Sequence, residues 1–323
     1  MRIDPALSRK ILMGIIVNPY SRRNLKNREA TVDDFVRTGG SAVDVRPTES
    51  LEHLDDVLRE FKENAYPYIG ISGGDGTIHN VITRIINIYM PEPPPPVLLF
   101  NDGTMNNIAA SIGLGGDSAQ ILKRFLAAVT RSFYPRMLYR DTLKIEDRYC
   151  FLFGMGMIAN FLNECYSDGQ KGFRKNIEAI GKTFGEVLNS LMTNTGTNLD
   201  VMKHMEAEVR INSRKIGFHN MLFLLAGTVE NIGMGFRALY RANDIPGTFH
   251  VFVNGMQPID LAGQLNRFLS GTPVESNVNI DETVRKLEIC TDCAFEYTMD
   301  GDMYSAHSRI IVETGVPVRL LLV

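Results

Sequence analysis

The sequence predicts an N-terminal doubly wound α/β domain followed by a C-terminal antiparallel β-sandwich. Three observations predict it. Apolar runs alternate with segments of helical period over the first third of the chain. A glycine-rich turn, Gly73–Gly76, stands at one of these strand-to-helix junctions. Beyond Pro135 the alternation gives way to short strands of period two, with Asn212-Ser213 and Asp300-Gly301 at their turns.

The elements follow in order. Ile11–Asn18 is an apolar run short enough for a buried strand and about a third of what a membrane span needs. A polar helical stretch ends at Gly39-Gly40, and Ala42–Arg46 alternates like a strand. Leu51, Leu54, Leu58 and Phe61 recur at helical spacing. Tyr66–Ser72 is the next strand. Ile78, Val81, Ile82, Ile85, Ile86 and Tyr89 then form one continuous helical face. The prolines at 91 and 93–96 close that helix and lead into a strand at Val97–Phe100.

In the second half, Leu143 and Ile145, Val209 and Ile211, Phe249, Val251 and Val253, and Phe295, Tyr297 and Met299 alternate with other residues as strands do. Two helical stretches interrupt them, near Arg174–Leu191 and Pro258–Leu269. The apolar end Val318–Val323 needs a buried sheet to join. The expected domains are therefore 1–134, with 308–323 as a candidate to complete it, and 135–307.

Composition narrows the function. In 323 residues, 34 Lys and Arg face 37 Asp and Glu, a net charge of -3, which argues against a protein that coats nucleic acid. Four cysteines include one C-x-x-C pair, Cys290 and Cys293, with no second pair at zinc-site spacing. With no span and no signal-peptide pattern, the expectation is a cytoplasmic protein.

The Gly73-Gly74-Asp75-Gly76-Thr77 loop carries the strongest chemical signal. Glycines at a helix start let successive N–H groups face an anion, and the helix dipole adds positive charge there. A phosphate chain suits such a loop, and Asp75 beside phosphate calls for a bridging Mg²⁺. The competing account is a tight turn with Asp75 capping the helix. Gly70-Ile71-Ser72-Gly73-Gly74 also fits G-x-S-x-G, the nucleophile elbow of serine hydrolases, with Ser72 as nucleophile. Gly154–Ala159 and Gly233–Ala238 fit G-x-G-x-x-A but lack a βαβ context. Gly103-Thr104-Met105-Asn106-Asn107 suits a nucleotide or a plain capped helix, and Asp300-Gly301-Asp302 suits a hairpin turn.

Taken with Asn18-Pro19, these clusters occur in an order and spacing that resemble the diacylglycerol kinase catalytic-domain family. That family includes bacterial soluble lipid kinases and relatives of sphingosine and ceramide kinases. The resemblance extends over nearly the whole chain, with Gly227–Arg237 similar to the family's glycine-rich segment. It implies a nucleotide-binding first domain and an ATP-dependent lipid kinase acting on a diacylglycerol-like or related lipid hydroxyl. By position, Asn18, Gly73, Gly74, Gly76, Thr77, Thr104 and Asn106 hold ATP. Asp75 engages Mg²⁺ and the phosphates, and Asp302 stands where the family has a glutamate general base. The chain departs from the family at Asn80, Asn101-Asp102, Asn107 and Ile158, and Asp302 is one methylene shorter than Glu. The departures keep a catalytically altered nucleotide- or lipid-binding homologue open, and the shared loop keeps an NAD kinase-like enzyme open.

The expected partners are a lipid substrate and, transiently, the membrane surface, with a homodimer left open and no nucleic acid. Arg22, Arg23, Lys26 and Arg28 are candidates for phosphate or membrane contact, against a plain solvated helix start. The 171–191 segment mixes basic and apolar residues, as an interfacial lid or an ordinary amphipathic helix would.

Overall fold

The computed structural model describes residues 12–21, 28–101, 116–130, 135–167, 201–217, 219–233 and 235–323. The chain divides into two compact units, Met1–Arg140 with Pro317–Val323, and Asp141–Val316.

In the first unit, β1 (Met13–Val17) pairs in parallel with β2 (Val43–Pro47) and β3 (Tyr68–Gly73), and β3 with β4 (Val97–Asn101). The last strand of the chain, β20 (Val318–Leu322), pairs parallel to β4 and antiparallel to β5 (Arg136–Arg140). The sheet order is β2-β1-β3-β4-β20-β5, a mostly parallel sheet with one antiparallel edge.

Helices cover both faces, and the pleat shows how. Met13, Ile15 and Val17 share a core with Phe35 of α1 (Arg28–Gly39) and with Ile121, Leu122 and Phe125 of α4 (Ser118–Thr130). Gly14 lies between them in sequence, so it faces the other way. There Phe61 of α2 (Leu51–Glu63) lies so close that a Cβ on Gly14 would be 2.4 Å from its ring. α2 begins at Ser50, whose side chain accepts the His53 N–H, and buries Leu54, Val57, Leu58 and Phe61. Each such side chain contributes roughly 1.5–3 kcal/mol of burial. α3 (Asp75–Tyr89) buries the apolar stripe seen in the sequence and packs beside α2, joined by an Arg84–Asp55 ion pair at 2.9 Å.

The second unit holds two six-stranded antiparallel sheets. One runs β11 (Arg214–Lys215), β10 (Glu208–Ile211), β16 (Lys286–Cys290), β19 (Arg309–Thr314), β6 (Leu143–Ile145), β7 (Arg148–Cys150). The other runs β15 (Asn279–Val284), β14 (Phe249–Asn254), β13 (Phe223–Gly227), β8 (Leu152–Gly156), β17 (Phe295–Met299), β18 (Asp302–Ala306). A single core joins their inner faces, with Val209, Ile211, Leu287, Ile289 and Val312 from one and Phe153, Met155, Val251, Tyr297 and Met299 from the other. A short β9–β12 ribbon (Met205–Glu206 with Asn220–Met221) stands apart from both sheets. Within 308–323, β19 pairs with β16 and β6 of the second unit, and β20 alone returns to the first sheet.

Three local expectations change. α5 (Met157–Ser167), α6 (Pro258–Gly263) and α7 (Leu265–Ser270) carry a second core on the outer face of the β13–β14 sheet, where Phe223, Leu225 and Phe252 meet Leu261 and Phe268. β14 is consequently buried at every residue, His250 included, instead of on one face. The helical stretch expected over Pro258–Leu269 is two short helices that meet at Gln264.

Candidate functional site

The strand order places one crevice of the first unit at a switch point. β1 is followed by β2 on one side, and the chain then returns to lay β3 on the other. The helices leaving β1 and β3 therefore lie on opposite faces, and the carboxyl ends of these two strands frame a natural ligand crevice. Asn18 follows β1 directly, and Gly74 caps α3 directly after β3. Two of the sequence clusters, Asn18-Pro19 and Gly73–Thr77, thus leave the same end of the sheet.

Asn18 and Thr77 meet across this crevice. The Asn18 Nδ2 donates to Thr77 Oγ1 at 2.7 Å. The Asn18 backbone N–H donates to the Ser72 carbonyl at 2.9 Å, and its Oδ1 accepts the Tyr20 N–H at 2.9 Å. Gly73 is required by this contact, because a Cβ there would lie 2.5 Å from the Thr77 Cβ. Gly74 is extended at the N-cap with no side-chain cap bond, and the first helical bond runs from the Ile78 N–H to the Gly74 carbonyl at 3.0 Å. The N–H groups of Asp75, Gly76 and Thr77 precede that bond, so the helix itself does not use them. Asp75 is the first helical residue and the acid of the first turn. Asn80, one turn on, donates to the Gly76 carbonyl at 2.8 Å.

Ser72 is wholly buried within β3. A nucleophile must stand at the exposed turn, so the elbow reading does not fit this strand. Thr104, Asn106 and the rest of the Gly103–Asn107 cluster lie outside the described residues. So do 22–27 of the basic stretch and all of 171–191.

In the second unit, Asp300-Gly301 forms the β17–β18 turn, with φ of 49° and 94°. Two successive positive φ values are the two-residue hairpin geometry that Asp-Gly favours. The buried Asp300 carboxylate accepts the Leu152 N–H at 2.8 Å and the Phe151 N–H at 3.1 Å. Phe151 in turn accepts the Thr228 N–H at 2.9 Å, where the glycine-rich segment begins. Asp302 opens β18 opposite Met299, and directly opposed residues share a face. Tyr304, two residues on, stacks on Tyr297 at 5.7 Å and lies under the Arg148 guanidinium at 4.7 Å. Burial, with the Asp302 charge adding to it, pushes the Tyr304 hydroxyl up to about 12.

Sequence reasoning missed the part played by Asp300, for which the Asp-Gly pair was the available signal. It also missed a partly buried set at the far edge of the same sheet. His250 Nε2 lies 2.7 Å from Asp281 Oδ1, and the Tyr240 hydroxyl donates to Asp281 Oδ2 at 2.8 Å. Ile158 packs into the outer core beside Gly154. Cys290 and Cys293 are free thiols, and no group of metal-ligating side chains occurs among the described residues.

The family model of the diacylglycerol kinase catalytic domain matches residues 13–134. Over this stretch the chain is similar to that family's catalytic domain. The matched stretch carries the switch-point crevice, Asn18 and the whole glycine loop. No curated protein matches the sequence. Solved structures extend the likeness of fold beyond the diacylglycerol kinase catalytic domain. A diacylglycerol kinase from Bacillus anthracis str. Sterne superposes with a TM-score of 0.62 at 14% identity, over 97% of each chain. Another solved structure from the same organism gives 0.69 at 16% identity, again over 97% of each chain. Yeast NADH kinase, complexed with NADH, gives 0.51 at 12% identity over 97% of this chain and 84% of that one. At these identities the likeness establishes a shared fold.

Proposed function

We propose that the protein is an ATP-dependent lipid kinase that transfers the γ-phosphoryl group to a lipid hydroxyl. The observation that carries this is the Asn18–Thr77 hydrogen bond, which holds the glycine loop and the start of α3 across the switch point. The N–H groups that precede the first intrahelical bond and the glycine backbone suit a phosphate chain. Asp75, at that turn, suits a metal that takes its other ligands from phosphate and water, which is how Mg²⁺ accompanies nucleotides. When bound, Mg²⁺ neutralises phosphate charge, and Asp75 is the residue that would hold it.

In the transfer, the acceptor oxygen bonds to the γ-phosphorus and the bond to the β-phosphate oxygen breaks, leaving ADP. Asp302 accepts the hydroxyl proton, which requires approach to within about 2.6–3.2 Å, directly or through one water. Positioning and electrostatics supply most of the rate in such reactions. A lipid acceptor brings the protein into reversible contact with a membrane surface from the cytoplasm. No helix among the described residues is long and apolar enough to cross a bilayer.

The test is a labelled-ATP transfer assay against a mixed lipid extract, with product identification. A labelled phospholipid is expected, lost in Asp75→Ala. The likeness to yeast NADH kinase favours a second reading, phosphorylation of a dinucleotide, and a parallel arm with NAD and NADH separates the two. ATP binding with no transfer to lipid or dinucleotide overturns both, and the apolar packing of Ile158 accords with that outcome.

A further inference from the structure

The Asn18 amide is oriented by chemistry as well as by fit. The Tyr20 backbone N–H can only donate, and it points at Asn18 Oδ1 at 2.9 Å. The other end of the amide must then be the NH₂ group, so Nδ2 is the donor to Thr77 Oγ1 at 2.7 Å. That settles the polarity of the Thr77 hydroxyl, which is an acceptor toward Asn18. Its own proton points elsewhere, and it has no acceptor among the described residues. Thr77 is half-buried in the first turn of α3, among the residues whose N–H groups precede the first intrahelical bond.

We propose that Asn18 is a positioning residue that turns the Thr77 hydroxyl outward, making it a hydrogen-bond donor to a phosphate oxygen of the bound nucleotide. The inference rests on the nucleotide reading above and sharpens it. Asn18 acts on the ligand through Thr77, and its own amide is occupied at both ends. Gly73 belongs to the same device, since a Cβ there would displace Thr77 from Asn18. A hydroxyl fixed as a donor costs no reorientation when the anion arrives, and a hydrogen bond to a charged group is the stronger kind.

The test is a double-mutant cycle on the full chain, read by calorimetric titration with ATP and, separately, with inorganic tripolyphosphate. Thr77→Val keeps the shape and removes the hydroxyl, and is expected to weaken binding of both probes about tenfold or more. Asn18→Ala is expected to weaken binding about threefold in the wild-type background and to change nothing in the Thr77→Val background. In Thr77→Ser, which keeps the hydroxyl, the Asn18→Ala effect should return. Melting temperatures accompany each variant, because a merely structural role would lower stability without this pattern. Equal effects of Asn18→Ala in the wild-type and Thr77→Val backgrounds overturn the inference and leave the nucleotide reading standing. A wild-type protein that binds neither probe overturns the nucleotide reading, and the inference with it.

Discussion

The Asp300 carboxylate accepts the Leu152 N–H at 2.8 Å, across 148 positions of sequence. This bond and its neighbour to Phe151 fix the turn that presents Asp302, because they tie the β17–β18 hairpin to the start of β8 and the residue before it. The same Phe151 anchors the start of the glycine-rich segment through Thr228.

Asp300→Ala leaves these N–H groups without their acceptor. Orphaned buried donors and a lost charge-assisted acceptor together cost about 2–4 kcal/mol. Urea denaturation should show that loss, and Asp300→Asn, which keeps one oxygen, should show about half of it. A loss under about 1 kcal/mol in Asp300→Ala would mean that water replaces the carboxylate.

Two glycines with similar backbone angles should respond differently to the same change. Gly156 has a φ of 68° and its Cβ would stand 2.5 Å from the Leu222 carbonyl oxygen. Gly247 has a φ of 73° and open space around it. Gly247→Ala should cost about 1 kcal/mol, the backbone strain alone. Gly156→Ala should cost about 3 kcal/mol or more, because rigid backbone must also move. Thermal melts of the two variants, side by side, separate strain from collision.

Much of the first unit was legible because its signals are local. The stripe Ile78–Tyr89 and the run Met13–Val17 each state their own period, and the Gly73–Thr77 loop states its own turn. What was not legible depends on distant partners. α4 was overlooked although Ile121, Leu122 and Phe125 carry helical spacing, because its apolar face is defined by Phe35 and Leu321 from elsewhere. β14 reads as an alternating strand until α6 and α7 cover its outer face. The glycines at 154 and 156 match a nucleotide fingerprint without its βαβ context, and Ile158 and the Leu222 carbonyl explain the absence of a side chain at each. The Asn18–Thr77 bond joins two motifs 59 positions apart, and only the strand order brings them together.

Asp281 supplies a pH dependence. Burial by itself would raise its pKa, but hydrogen bonds from His250 and Tyr240 outweigh burial and hold it below the ordinary carboxylate range. A depressed carboxylate stabilises the fold fully above its unfolded value, near pH 4, and loses that contribution as the pH falls through the folded value. Tyr240→Phe removes one of the donors. It should cost about 1 kcal/mol at pH 7 and progressively less as the pH falls from about 4 through the folded value, below which the carboxyl group is protonated in both variants. A cost that stays constant from pH 7 to pH 2.5 would assign the loss to packing against His250.

Asp302 offers two independent readouts of one substitution. As the proposed base, it should be needed for transfer and not for nucleotide binding, so Asp302→Asn should keep the affinity for ATP and lose at least about 100-fold in turnover, the lower end of what general base catalysis contributes. Asp302→Glu keeps the carboxylate and lengthens its reach by one methylene, and should retain transfer. The second readout needs no substrate. The Asp302 charge helps to raise the Tyr304 hydroxyl to about 12, after burial as the larger cause. Removing that charge makes the phenolate less costly, so Tyr304 should ionise at lower pH in Asp302→Asn. Ultraviolet titration against a Tyr304→Phe control measures the shift. A shift without loss of transfer would leave Asp302 as a neighbour of Tyr304 and remove it from the reaction, and loss of transfer with the shift supports both the placement and the role.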